Sequence, residues 1–346
     1  MMSSSKSSSE ISSSSLLQDK TILVTGANRG IGRALVKCFV EHGAKKVYAA
    51  VRNLDSIKND KTFGINDTQS DDSNNRRIIP LYLDLTKRDS ILEASKIATD
   101  VNVVINNGGV LTNTSVMSSN CIDNLQYEMN VNVYGLIHMT QIFLPILQKQ
   151  NSTKNNTNTN TNDAASHSSY FVQINSVASM RCGIPDVATY SASKSASYSL
   201  TQAIRQECTC ENSTNYSNVK VISVHPGPIA TDMIMNASKE LAKQAEDPYN
   251  VALDVLKAIT SKETPFLVFP DPKSKTMGEL YLHGTSTSSK ASNNNTDGNK
   301  KRKKRDDDKE DDDEDESDDG SGDGSNSGGS GGGFGQTVII EGKMYG

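Results

Sequence analysis

The sequence predicts an α/β fold: a doubly wound, mostly parallel sheet in a single domain with disordered tails. Three observations carry that expectation. Short apolar runs rich in β-branched residues alternate with longer stretches whose apolar residues recur at helical spacing. The runs are nearly continuous in apolar residues, as in strands covered on both faces. Polar residues stand just after the runs, where an open parallel sheet forms its ligand cleft.

The alternation begins at "TILVT" (Thr21 to Thr25), which ends in a glycine turn. "IGRALVKCFVEHG" then repeats its apolar residues at helical spacing and stops at Gly43. "KVYAAV", "IIPLYLDL", "VNVVIN", "YFVQIN" and "VKVISV" read as five more strands, each followed by a helical stretch or a glycine-containing turn. "FLVF", before Pro270, reads as a seventh.

Several segments of the 346-residue chain cannot contribute to a core. Residues 1–16 are mostly serine, and residues 58–77 and 151–168 are polar, aromatic-poor insertions. Residues 284–346 run through Ser/Asn, a basic block "KKRKKR", an acidic block and a Gly/Ser tract. None of these buries enough apolar area to offset its ordering entropy. One domain, residues 17–283, is left to fold. From Gly284 onward there are 9 Lys and Arg against 15 Asp and Glu, a balance of −6 within the chain's −5, which leaves the domain at +1. A nearly neutral domain gives no support for a nucleic-acid surface, so no nucleic-acid partner is expected.

Cys38, Cys121, Cys182, Cys208 and Cys210 form no Cys-x-x-Cys and no zinc spacing, so they read as reduced thiols, with no metal. No apolar run reaches the roughly 18 residues that span a bilayer, and no apolar stretch near the N-terminus suits a signal peptide. No membrane partner is expected, and the location expected is cytoplasmic. The Ser-rich N-terminus also suits an organelle transit segment and "KKRKKR" a nuclear address. A solvated tail is the alternative for the basic block.

The first strand end is "TGANRGIG", Thr25 to Gly32. Gly26, Gly30 and Gly32 let the backbone turn sharply and approach a pyrophosphate, which the following helix, from Ile31 on, meets with unpaired N–H groups and its positive end. The second strand ends "YAAVRN", with Val51 and Arg52 where a carboxylate for the ribose hydroxyl of NAD would stand. Arg52 and Arg29 favour the 2′-phosphate of NADP, with NAD the less favoured cofactor; an arginine at either place also suits solvated surface. Asp84 follows the third strand, suited to an adenine amino group. Asn106 and Asn107 follow the fourth and Ser176 the fifth. Asp, Asn and Ser at such places also serve as caps; their occurrence at successive strand ends is what one shared cleft requires.

"TYSASKSAS" (Thr189 to Ser197) sets Tyr190 and Lys194 four positions apart, one above the other on a helix face. A free phenol has a pKa of about 10, and lowering it by three units takes roughly 4 kcal/mol. An ammonium about 4 Å away in a partly screened site supplies a Coulomb energy of that size. Lys194, together with the positive nicotinamide of a bound cofactor, is therefore expected to draw Tyr190 toward the working pH.

Thr25-Gly26-x-x-x-Gly30-x-Gly32, Asp84, Asn106-Asn107-Gly108-Gly109, Asn132 in "NVYG", Ser176, Tyr190-x-x-x-Lys194 and Pro226-Gly227 occur in this order between about Lys20 and Asp271. In that order they resemble the short-chain dehydrogenase/reductase family. Gly108 departs from the family's usual alanine. The polar tail replaces its common Gly-rich ending, which bears on C-terminal contacts between subunits.

The resemblance implies a Rossmann fold and a catalytic tetrad of Asn132, Ser176, Tyr190 and Lys194. It implies cofactor binding by Gly26, Arg29, Gly30, Ile31, Gly32, Arg52, Asp84, Asn107, Tyr190, Lys194, Ile229 and Thr231. The activity implied is an NADP-dependent carbonyl reductase or alcohol dehydrogenase, an oxidoreductase acting on a small-molecule carbonyl or alcohol. In it Tyr190 is the general acid/base and Ser176 bonds the substrate oxygen. Lys194 bonds the nicotinamide ribose, and Asn132 holds a water that reprotonates the tyrosine. Homodimers or homotetramers through the long helices are usual in the family. Met233 to Ala245 stands where the family has its substrate lid, and Met180, Cys182, Ile184, Met233 and Ile234 read either as walls of an apolar substrate pocket or as ordinary core. The alternative function is a dinucleotide-binding redox sensor or scaffold without catalysis, which has no need of a tetrad; nucleotide-sugar epimerisation fits the glycine spacing less well.

Overall fold

A computed structural model describes residues 16–58, 60, 63, 77–154, 168–183, 186–209, 216, 219–237, 242–283, 338–340 and 343–345. Most of the expected tails and both polar insertions fall outside these residues, as do Cys210 and Ile184. The chain divides into one unit up to Gly284 and a second from Thr285 on.

In the first unit the strands are β1 (Thr21–Thr25), β2 (Lys46–Val51), β3 (Ile78–Tyr82), β4 (Val103–Asn106), β5 (Ser169–Ile174), β6 (Val219–Val224) and β7 (Leu267–Val268). They form one parallel sheet in the order β3-β2-β1-β4-β5-β6-β7. This is the doubly wound sheet expected. The strand order reverses beside β1, which opens a cleft at the carboxyl ends of β1 and β4. Pro80 lies in β3, which pairs with β2 on one side only, so its missing N–H costs no ladder bond.

The helices are α1 (Gly30–Glu41), α2 (Asp55–Lys58), α3 (Arg88–Ile97), α4 (Cys121–Met129), α5 (Gly135–Lys154), α6 (Ala188–Thr209), α7 (Asp232–Ala237), α8 (Pro248–Thr260) and α9 (Pro272–His283). Successive strand residues face opposite layers. Ile22, Val24, Val47 and Ala49 pack with Leu35 and Phe39 of α1 and Val251 and Val255 of α8. Leu23, Tyr48, Ala50, Val104 and Phe171 pack with Ile91 of α3, Met139 and Phe143 of α5 and Ile204 of α6. Two cores thus clamp the sheet and hold its strand ends in fixed relation.

Between α4 and α5 the helix widens into one π turn, Asn130–Tyr134, with Asn132 buried at its centre. Such turns displace a side chain that a regular helix would place elsewhere. In the second unit, β8 (Val338–Ile340) and β9 (Lys343–Tyr345) pair antiparallel. Among the described residues no helix is long and apolar enough to cross a membrane, and no group of His, Cys, Asp and Glu is arranged to hold a metal.

Candidate active site

The glycine turn after β1 is dictated locally. Gly26 and Gly30 have φ of +64° and +53°, where a side chain is strained. A Cβ on Gly32 would stand 2.1 Å from the Gly26 carbonyl oxygen, so α1 can start against the turn only without one. Thr25 locks this turn to the end of β4: its Oγ1 accepts from the backbone N–H of Asn107 (3.0 Å) and Gly108 (2.9 Å), while Asn107 Nδ2 donates to the Thr25 carbonyl at 2.9 Å. At Gly108, the departure from the family pattern, an alanine Cβ would come 2.7 Å from Leu85 Cδ1, the end of a side chain that can shift.

Around this turn lies a cavity of about 500 Å³, within the range of ligand sites. Gly26, Arg29, Gly30, Ile31, Arg52, Asp84, Asn107, Ser176, Tyr190, Lys194, Ile229 and Thr231 all line it. Gly32 and Asn132 support it from behind. Of the expected apolar walls, Met233 and Ile234 of α7 line the cavity, whereas Met180 and Cys182 lie outside its lining. Asn28, Asn53 and Ser56 also line it and were not singled out from sequence.

At one end, Arg29 and Arg52 stand with Asn53 and Ser56. Arg29 reaches Asp232 of α7 at 3.6 Å, both side chains exposed, and a Cβ on Gly30 would meet Thr231 Cγ2 at 2.8 Å, so the start of α7 rests on the glycine turn. Asp84 turns its Oδ1 to the backbone N–H (3.0 Å) and hydroxyl (2.8 Å) of its own neighbour Thr86, which leaves Oδ2 toward Lys87 at 3.9 Å.

At the other end, Ser176, Tyr190 and Lys194 converge. The Ser176 side chain accepts from the Ala178 N–H at 3.1 Å and stands close enough to the Tyr190 phenol to favour its ionised form. Lys194 is buried, donates to the Ile174 carbonyl at 3.0 Å, and lies 5.8 Å from the Tyr190 ring centroid. A Cβ on Gly109 would stand 3.1 Å from Asn132 Oδ1 and 3.5 Å from Lys194 Nζ, which brings those two side chains to one glycine turn. The Asn132 amide is fully engaged on protein groups: Oδ1 accepts from the Val110 N–H, and Nδ2 donates to the Val110 carbonyl and to Ser193 Oγ, each at 3.0 Å.

The electrostatics of the protein by itself run opposite to the expectation for Tyr190. Burial pushes the phenol up to about 12, with the Ser176 hydrogen bond pulling down and the charge of Glu128 pushing up. Burial likewise pushes Lys194 down to about 8, opposed in part by Glu128. The Lys194 ammonium is turned to the Ile174 carbonyl, 5.8 Å from the Tyr190 ring centroid, and burial of the phenol dominates.

Two buried groups that sequence reasoning missed stand behind the site. Glu128, fully buried in α4, accepts from the Thr112 N–H and hydroxyl, both at 2.7 Å, while its Oε2 has no hydrogen-bond partner among the described residues. His225, fully buried after β6, has Nδ1 3.2 Å from the Ser176 carbonyl and Nε2 2.8 Å from Ser223 Oγ. Nδ1 also lies 3.1 Å from Ser179 Oγ, whose hydroxyl is donated to the Ser176 carbonyl at 2.6 Å; with both neighbours acting as acceptors, Nδ1 is assigned the proton. Burial holds this imidazole down at about 3, the Ser176 carbonyl raising it and Lys194 lowering it further. The sequence "SVHPG" marks His225 only as a residue in a turn.

The profile of the family described as short chain dehydrogenase matches residues 20–242. An uncharacterised oxidoreductase of Staphylococcus aureus strain N315 is 28% identical over 249 residues, which cover 71% of this chain and 93% of that protein. The dehydrogenase/reductase SDR family protein 7-like of Drosophila melanogaster is 28% identical over 275 residues, 75% of each chain. Among solved structures, a short chain dehydrogenase from Burkholderia cenocepacia J2315 in complex with NADP superposes with a TM-score of 0.60 at 25% identity, covering 78% of this chain and 95% of that one. A short chain dehydrogenase/reductase from Burkholderia phymatum in complex with NAD shares the fold, with a TM-score of 0.58 at 20% identity over 75% of this chain and 92% of that one. With a family match over more than half of its length, on a sheet and strand-end cleft of this geometry, the chain belongs to the short chain dehydrogenase family of oxidoreductases.

Proposed function

We propose that the protein is an NADP(H)-dependent oxidoreductase that interconverts a ketone or aldehyde and its alcohol, with Tyr190 as general acid/base. The observation that carries the proposal is the convergence of Ser176, Tyr190 and Lys194 at one end of a single cavity whose other end holds the glycine turn, Arg29 and Arg52. The residues fit a dinucleotide. The turn at Gly26, Gly30 and Gly32 has no room for side chains, the start of α1 faces it, and the guanidiniums of Arg29 and Arg52 line the same cavity, chemistry that suits a 2′-phosphate. The NADP complex of the Burkholderia cenocepacia relative supports the phosphorylated cofactor.

A nicotinamide ring bound at this end supplies or takes up the hydride. In the reductive direction Tyr190 donates its phenolic proton to the carbonyl oxygen, and in the oxidative direction it takes the proton back. Ser176 donates a hydrogen bond to the same oxygen as negative charge develops there. Lys194, 5.8 Å from the Tyr190 ring centroid, would bond the nicotinamide ribose and set a positive charge beside the phenol. Because its amide is occupied by Val110 and Ser193, Asn132 acts on a relay water through its place in the backbone, not through a spare side-chain group. Val110, Leu111, Met233 and Ile234 line the substrate side, which favours an apolar carbonyl compound. The test is an absorbance assay of NADPH and NADH oxidation against a panel of aliphatic and aromatic aldehydes and ketones. Turnover with NADPH supports the reading; binding of dinucleotide without turnover on any carbonyl favours the sensor alternative.

A further inference from the structure

Asp271 lies outside the family-matched span, just before α9, yet it is only 2% exposed and its carboxylate bonds Gly227, a residue that lines the cavity. Oδ1 accepts from the Ser274 N–H at 2.9 Å, while Ser274 Oγ accepts from the Asp271 N–H at 3.0 Å; the two residues cap α9 reciprocally. A cap uses one acceptor. The second, Oδ2, accepts from the main-chain N–H of Gly227 at 2.7 Å, across 44 residues of sequence.

Gly227 lines the cavity, and it follows β6, next in the sheet to β5, whose end carries Ser176. It therefore belongs to the end of the cleft with Tyr190 and Lys194, away from the arginines that follow β1 and β2. Its neighbour Pro226 accepts from the Val177 N–H at 3.0 Å, so this turn also supports the turn that carries Ser176. A Cβ on Gly227 would stand 2.6 Å from Asp271 Oδ1: the approach of the carboxylate is what requires glycine there.

We propose that Asp271 is a positioning residue for the nicotinamide end of the cleft, acting through the N–H of Gly227, and that α9 is thereby part of the site's support; the inference rests on the cofactor reading above. The chemistry separates this role from helix capping. Asparagine or serine caps a helix as well as aspartate does, but asparagine would present an amide donor to the Gly227 donor, and serine has no second oxygen.

The test compares parent, Asp271→Asn, Asp271→Ser and Gly227→Ala by titration with NADPH and, separately, with adenosine 2′,5′-bisphosphate, which lacks the nicotinamide half. All three variants are expected to weaken NADPH binding about tenfold and to lower kcat, with bisphosphate affinity unchanged within about twofold. Asp271→Asn that binds NADPH as tightly as the parent overturns the inference. So does a variant that loses both ligands in equal proportion, since that is the result of a purely structural role. Uptake of NADPH by the parent is the separate control on the cofactor reading itself.

Discussion

The side-chain amide of Asn132 grips the backbone of Val110 from both sides, Oδ1 on its N–H and Nδ2 on its carbonyl, each at 3.0 Å. The π turn at Asn130–Tyr134 brings the amide to that spot, and Val110 is the first residue past the Asn107–Gly109 turn that edges the cavity. One side chain therefore joins the helix layer to the floor of the site.

Replacing Asn132 with alanine leaves both Val110 groups without their partner, close to half-buried surface. The expected cost is about 2–3 kcal/mol of unfolding free energy, measured by urea denaturation, together with reduced turnover. An Asn132→Ala protein as stable as the parent contradicts this scaffold role.

Tyr190→Phe removes the hydroxyl proposed as proton donor and keeps the ring packed in place. Turnover is expected to fall by about 10²–10⁴-fold, while NADPH affinity stays within a few-fold. Wild-type turnover in this variant sinks the assignment of Tyr190.

Arg52 lines the cavity just after β2, far in the sheet order from Ser176 after β5. Arg52→Ala is expected to raise the KM for NADPH about tenfold or more, as loss of a charge-assisted phosphate contact does. The KM for NADH and kcat should move little. A parallel change for both cofactors would mean that Arg52 does not read the phosphate.

Glu128 raises both Tyr190 and Lys194 by its negative charge. Glu128→Gln keeps the acceptor for Thr112 and removes that charge, so the phenol ionises more readily and the ammonium is held less firmly. Limbs of the kcat/KM profile that report either group are expected to move to lower pH. The check is the profile from pH 6 to 10 for parent and variant; coincident limbs would show that the carboxylate is too well compensated to matter.

His225 makes acid stability measurable. Its imidazole titrates near 3 in the folded protein and near 6.5 unfolded, so between those values the unfolded chain takes up a proton that the native one refuses. This contribution to stability is complete above 6.5 and is lost as the pH falls toward 3, amounting to about 2 kcal/mol at pH 5. His225→Gln, which cannot titrate, is expected to lose less stability than the parent between pH 7.5 and 5, whatever its offset at neutral pH. Equal losses by denaturant unfolding at the two pH values would exclude His225 as the source.

The strand runs, the glycine turn and the Tyr190–Lys194 spacing were legible in the sequence because each is local. Backbone freedom at Gly26 and Gly30, apolar periodicity and side chains one helical turn apart depend on neighbours within a few residues. Membership of one cleft followed from the parallel sheet, which brings successive strand ends together whatever lies between them. Tertiary structure alone decided the rest: that Asn132 binds Val110, that Glu128 is buried instead of solvated on α4, that His225 holds Ser176, and that Asp271 turns one oxygen to Gly227. It also decided the protonation of Tyr190, because desolvation depends on what surrounds a group in space, and no spacing along the chain records how much water folding removes.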